Sequence, residues 1–399
     1  APGFIHPAWE DAAHYRAREH ALPLAVDPRK ATPADGLDRM RLARVLNHGL
    51  DNPVGYVLPL AWDTVAGCWY STRWEMRVGR VVLIPGDSPI GLRLPLDSLP
   101  QPTGEDSEPE RDPFEARDAL QPRHDVPQAD FSRSWGAVAQ QAPADHAPAP
   151  PAARKNLVRT AICTEARQGK LHVFLPPLEH LEHYVQLIGL IEQTAAGLAI
   201  PVIIEGYEAP RDSRLQKLLV TPDPGVIEVN IHPASSWQAL VDNTTALYED
   251  ARNARLGTEK FLIDGRHTGT GGGNHVTLGG ATPADSPLLR RPDLIRSLVT
   301  YWQHHPGLSY LFSGMFIGPT SQAPRVDEGR NETLYELEIA FQQMPEGLVQ
   351  QPWLVDRLMR NLLVDITGNT HRSEFCIDKL YAPGSASGRQ GLLEFRGFE

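Results

Sequence analysis

One glycine-rich stretch carries the residues best suited to phosphate chemistry. It runs Asp264-Gly-Arg266-His267-Thr-Gly-Thr-Gly271-Gly272-Gly273-Asn274-His275. Glycines let backbone N–H groups close on an anion, and Arg266 adds charge. No Gly-Lys-Ser/Thr follows, so it is not a Walker loop. A strand rather than a helix comes next, which argues against a dinucleotide fingerprint. The competing reading is a plain surface loop. Three further segments alternate apolar with charged residues: Val226-Ile-Glu228-Val-Asn230-Ile-His232, Tyr335-Glu336-Leu-Glu338-Ile339 and Leu392-Leu-Glu394-Phe-Arg396. Read as strands, they place Glu228, Asn230 and His232 on one face and Ile227, Val229 and Ile231 on the other. Glu336 then shares a face with Glu338, and Glu394 with Arg396. A sheet apolar behind and lined in front with carboxylates, an arginine and histidines suits divalent-metal and phosphate chemistry. His275 is placed to join Glu228 in such a site. The bland alternative is a half-exposed antiparallel sheet whose polar face meets water. Glu205 and Glu208, flanking Gly206-Tyr207, read either as ligands or as a solvated strand end. Glu374, in His371-Arg372-Ser373-Glu374, is equally open. Cys376 sits between apolar neighbours and reads as core rather than nucleophile.

The elements that must position these residues follow from periodicity. Gly55–Pro59 and Arg80–Pro85 are predicted strands, and Leu37–Leu50 has helical spacing. Leu171–Leu175 is a strand, residues 178–198 a helix, and Pro201–Glu205 a strand of the fully buried type. Leu215–Thr221 and Val226–His232 flank Pro222-Asp-Pro-Gly225 and form a hairpin. Ser235 is predicted to cap a helix reaching about Leu256. His275–Leu278 is a strand, helices follow near 290–304 and 352–365, and the C-terminal strands contain Glu374 and Glu394. This order predicts an α+β fold with a mostly antiparallel sheet and helices on one face.

The chain has 399 residues, 41% of them hydrophobic, and a formal net charge of -11. That length allows two or three domains and a sizeable core. The charge and the lack of a Lys/Arg run disfavour nucleic acid as a partner. Three widely separated cysteines offer neither a disulfide framework nor metal-ligand spacing among themselves, which points to a reducing, cytoplasmic setting. No apolar run approaches the roughly 20 residues that cross a bilayer. Residues 101–150 hold eight prolines and ten acidic residues against four arginines, and so carry six of the net negative charges. They read as a linker between an N-terminal accessory region, 1–100, and a catalytic domain, 155–399, with the linker ending at 154. The first residue is not Met and the last falls just after a strand-like run, so the chain reads as a fragment of a longer protein.

The order of carboxylate strands, a glycine-rich loop ending in histidine and a late Glu-x-Arg strand resembles the glutamine synthetase-like carboxylate–amine ligases. Thr221–Pro233, Asp264–His275 and Phe312–Arg325 resemble a bacterial family described as amidoligases, whose members usually carry an N-terminal transglutaminase-like domain. The resemblance implies a glutamine synthetase-like domain over 155–399, ATP and Mg²⁺ (or Mn²⁺) as cofactors, and a peptide or amino-acid substrate. It implies that Gly271, Gly272, Gly273, Asn274 and His275 face the nucleotide. Glu205, Glu228, His275 and Glu394 would hold metal, and Arg396, Arg325 and Arg266 would act on the reacting charges. Glu205 and Glu208 are three apart where the family's first pair is spaced by two. Two other classes compete: a non-catalytic peptide- or nucleotide-binding module, and a metal-dependent hydrolase.

Overall fold

The computed structural model describes residues 4–76, 79–85, 92–94, 96, 99, 111–120, 157–223, 226–268, 273–312, 333–384 and 386–398. The chain divides into two units, Ala1–Pro109 with Leu120–Pro210, and Glu110–Ala119 with Arg211–Glu399.

The first unit contains β1 (His6–Glu10), α1 (Ala12–His20), α2 (Leu37–His48), β2 (Gly55–Pro59) and the β3 (Ala61–Asp63)–β4 (Cys68–Tyr70) hairpin. It continues with β5 (Val81–Pro85), β6 (Leu92–Arg93), β7 (Ala161–Arg167), β8 (Lys170–Leu175), α3 (Leu181–Leu198) and β9 (Val202–Gly206). Seven of these strands form one sheet in the order β6-β5-β1-β2-β7-β8-β9. Pairing is antiparallel except between β1 and β5 and between β8 and β9. Strands β7–β9, expected in a separate domain from residue 155, therefore share a sheet with β1, β2 and β5. The physical reason is the free edge of β2, which β7 covers along the register Gly55↔Glu165 to Pro59↔Ala161. Trp74, Val57, Val81 and Ala161 are buried together, and the Trp74 indole donates to the Val158 carbonyl at 2.7 Å. The strand at 202–206 is partly exposed along its length rather than fully buried. It is an edge strand, with no strand beyond it among the described residues.

The second unit begins with the hairpin β10 (Leu219–Asp223)–β11 (Val226–Asn230), then α4 (Trp237–Asn253) and the short pair β12 (Lys260–Phe261)–β13 (His267–Thr268). Next come β14 (Val276–Leu278), α5 (Pro287–Arg290), α6 (Pro292–His304), α7 (Pro306–Phe312), α8 (Thr333–Gln342), α9 (Leu354–Met359), β15 (Phe375–Cys376) and β16 (Leu393–Phe395). The cap of α4 is Ser236, one residue later than expected, with its hydroxyl accepting from the Ala239 amide. The predicted hairpin is present. Its expected apolar backing is not: the two strands form a sheet by themselves, and Ile227 is 50% exposed. The expected strand at Tyr335–Ile339 is instead part of α8. Leu337 and Ala340 are buried within it, and Met344, just past its end, is buried too. That i, i+3, i+7 spacing outweighs the short alternation around Glu336 and Glu338. Those two glutamates accordingly do not share a face: Glu336 is half-buried and Glu338 exposed. The helix expected over 352–365 is confined to Leu354–Met359.

The main core of this unit joins Leu289, Ile295, Val299 and Trp302 to Leu337, Met359, Phe375 and Leu393. It backs the three-stranded antiparallel sheet β14-β16-β15. Of the acidic proline-rich stretch, only 111–120 is described, and it contains neither helix nor strand. It is nevertheless pinned. Phe114 packs on Tyr381, and Arg117 pairs with the buried Asp212 carboxylate, which Arg214 also grips at 2.7 Å. Burial pushes the Asp212 carboxyl up, but the two guanidinium groups outweigh it and hold the group well below the usual range. The architecture is thus mixed α/β with mostly antiparallel sheet. Among the described residues, no helix is long and apolar enough to cross a membrane.

Candidate functional site

The three-stranded sheet of the second unit gathers the charged residues. The β14–β16 register pairs Thr277 with Glu394 and Val276 with Phe395. One step further, the same register sets His275 opposite Arg396. The β15–β16 register pairs Cys376 with Glu394, and the Arg396 amide donates to the Glu374 carbonyl at 2.8 Å. Facing residues in an antiparallel pair project from the same side of the sheet. One face therefore carries the row Thr277, Glu394, Cys376 and beside it the row His275, Arg396, Glu374. The other face is apolar. Phe395 stacks on Phe375 at 4.7 Å and meets Trp302 edge-on at 4.7 Å, and Leu393 is fully buried. Burying this apolar side fixes which way Glu394 and Arg396 point.

On the polar face, Glu394 is the hub. Its Oε1 lies 3.0 Å from His275 Nδ1 and accepts from Arg396 Nη1 at 2.6 Å. Its Oε2 accepts from Lys379 Nζ at 3.4 Å. Glu394 is 7% and Arg396 5% exposed, so this ion pair is shielded from water. Burial alone would raise the Glu394 carboxyl. The His275 hydrogen bond and the charges of Lys379 and Arg396 prevail and hold it at about 2. The carboxylate is ionised at every physiological pH. Cys376, opposite it, has its thiol pushed up to about 11, mainly by burial, which makes it a poor nucleophile.

The end of the glycine-rich stretch is built around the same histidine. A Cβ on Gly273 would stand 2.2 Å from His275 Nε2, so glycine is required while the ring stays on Glu394. The Asn274 amide donates to the Phe398 carbonyl, tying the loop to the end of β16. Gly273→Ala is expected to push the imidazole off Glu394 and destabilise the sheet by about 1–3 kcal/mol, the usual cost of overpacking. Denaturant unfolding measures this, and an unchanged midpoint would show that the ring can move freely.

The other expected site residues fall elsewhere. Glu228 is exposed on β11, accepts from Asn230 Nδ2 at 2.8 Å, and has no described contact with His275, Glu394 or Arg396. Arg266 is spent on Asp264 of its own turn, at 2.7 Å, and is 75% exposed. Glu205 belongs to the first unit, where Arg167 donates to it at 2.5 Å and His172 Nδ1 lies 2.7 Å away. Burial pushes its carboxyl up, but these two partners hold it below the ordinary range. Gly271, Gly272 and Arg325 lie outside the described residues. Sequence reasoning did not single out Lys379 or unite Glu374 with Glu394. The available signal was alternation: Glu374, Cys376 and Asp378 are spaced by two around a strand.

The donor chemistry at Glu394 fits a divalent cation with nucleotide phosphates. Such cations are held by one or two carboxylates plus substrate phosphates. An ionised Glu394 with Glu374 on the same face supplies the first, and Arg396 and Lys379 are cations suited to the second.

The sheet's polar face is a centre where one buried carboxylate meets His275, Arg396 and Lys379. The family model described as "Putative amidoligase enzyme (DUF2126)" matches residues 1–399. The chain belongs to this family. Comparison with curated proteins and with solved structures found no match.

Proposed function

We propose that this chain is an ATP- and Mg²⁺-dependent carboxylate–amine ligase that acts on a peptide or amino acid. The observation that carries the reading is the joint placement of His275, Glu394 and Arg396 on one sheet face, at the end of the glycine-rich loop. Membership in the amidoligase family supports the reaction class. Mg²⁺ (or Mn²⁺) would be held by Glu394 with His275, and by Glu374 from the neighbouring strand. Bound with ATP, it would neutralise phosphate charge while the ATP γ-phosphoryl group passes to the acid's carboxylate; an amine would then attack the acyl carbon and inorganic phosphate would leave. The protein's own part is charge placement. Glu394 stays ionised because three cationic or hydrogen-bonding neighbours surround it. Arg396, on the same face as Glu394, would offer its guanidinium to an anionic oxygen. Lys379 is partly exposed and free to swing to a phosphate. Gly271, Gly272, Gly273 and Asn274 are assigned to the nucleotide, and Arg266 and Arg325 to its phosphates, by the family resemblance. A cytoplasmic location and a transglutaminase-like domain in the parent chain belong to the same proposal.

Calorimetry with a non-hydrolysable ATP analogue, with and without Mg²⁺, tests it. Glu394→Gln keeps size and hydrogen bonding but removes the charge. It is expected to lose Mg²⁺-supported affinity by roughly tenfold or more, about 1.4 kcal/mol. His275→Ala is expected to weaken binding as well, and the exposed Glu249→Gln to leave it unchanged. Wild type that binds no nucleotide, or wild-type affinity and Mg²⁺ dependence retained in both site variants, would overturn the assignment. Metal-dependent cleavage without ATP would favour a hydrolase.

A further inference from the structure

A second cluster lies beside the Glu394 centre and is chemically distinct from it. His371, Cys376 and Asp378 present one nitrogen, one sulfur and one oxygen, all within 4.8 Å of one another. His371 Nε2 and Asp378 Oδ2 are 3.2 Å apart. Ligand atoms around a tetrahedral zinc ion stand roughly 3.3–3.8 Å apart, given bonds of about 2.0–2.3 Å. The nitrogen and oxygen are thus already near that spacing, and the sulfur lies within 4.8 Å of both. The cluster also has supporting contacts. Thr370 Oγ1 donates to Asp378 Oδ2 at 2.6 Å, and the Asn369 side chain accepts from the His371 amide at 2.9 Å. The first orients the Asp378 carboxylate as outer hydrogen bonds orient metal ligands, and the second fixes the backbone turn that carries His371. Burial is graded across the cluster: Cys376 is 2% exposed, whereas the His371 side chain is 59% exposed and leaves an entry path.

We infer that His371, Cys376 and Asp378 form a binding site for a zinc-class divalent cation, with three protein ligands and a fourth position open to solvent. A thiolate ligand selects zinc, cobalt or a similarly soft ion over Mg²⁺ and Ca²⁺. Binding forms the sulfur–metal bond as the Cys376 thiol proton leaves to solvent. This site does not depend on the ligase reading, because Glu394 and His275 take no part in it.

Cobalt titration of the purified chain, kept reduced with a non-thiol reductant, tests the inference. Co²⁺ is expected to produce a thiolate charge-transfer band saturating at one equivalent, and Zn²⁺ to abolish it by displacement. Cys376→Ser should remove the band, while the exposed Cys68→Ser should leave it intact. His371→Ala, which alters an exposed side chain rather than the core, should weaken Co²⁺ affinity by roughly tenfold or more. Glu394→Gln should retain the band, whatever becomes of nucleotide binding. No charge-transfer band in the wild type, a band that survives in Cys376→Ser, or unchanged affinity in His371→Ala would each overturn the site.

Discussion

Replacing Arg396 with alanine is expected to destabilise the second unit by about 3–5 kcal/mol, the cost of leaving a buried charge without its partner. Arg396 and Glu394 are both nearly inaccessible and meet at 2.6 Å. With the guanidinium gone, Glu394 keeps, among the described residues, His275 and the more distant, half-exposed Lys379. The Arg396 stem also packs at the sheet's end, so part of the loss is volume. A cycle with Glu394→Gln separates the two contributions. If the pair is coupled, the double variant will be clearly more stable than the sum of the single losses predicts. Strict additivity in urea unfolding would mean that the ion pair contributes nothing beyond its packing.

The second large effect is on acid stability. Glu394 has an ordinary value of 4.5 and is held at about 2 in the folded chain. A carboxyl depressed on folding stabilises the fold fully above its unfolded value. That contribution is lost as pH falls through the folded one. The window here runs from about 4.5 down to about 2, and the shift corresponds to at most about 3 kcal/mol. Other depressed carboxyls, Asp293 and Asp365 among them, titrate in the same region. The informative quantity is therefore the gap between wild type and Glu394→Gln. That gap should be largest near neutrality and close as pH drops through the window. Hydrogen exchange of the 276–278 and 393–395 amides follows it locally. A gap that stays constant with pH would show that Glu394 gains nothing from its neighbours.

The sequence by itself determined the local order. Gly55–Pro59, the helix over Leu37–His48, the 219–230 hairpin and the strand after the glycine-rich stretch are all set by short-range patterns. Alternation along Glu394-Phe-Arg396 was enough to put those two charges on one face, because side chains on a strand alternate regardless of what packs around them. Over 335–339 the short alternation reads as a strand, whereas the chain there is helix. The contest was decided only when Leu337, Ala340 and Met344 found a common core with Trp302 and Met359. Register was beyond the sequence altogether. Nothing in residues 275, 374 and 396 says that they sit side by side. That follows from hydrogen bonding of β16 to β14, more than a hundred positions earlier, and to the nearer β15, selected by the stacking of Phe395 on Phe375. The same holds for Glu228, whose strand matches the pattern of a site strand but, among the described residues, is paired within its own hairpin. Face preference is local and can be read from the pattern. Partner choice is a property of how apolar surfaces are buried across the whole unit, and only the tertiary structure decides it.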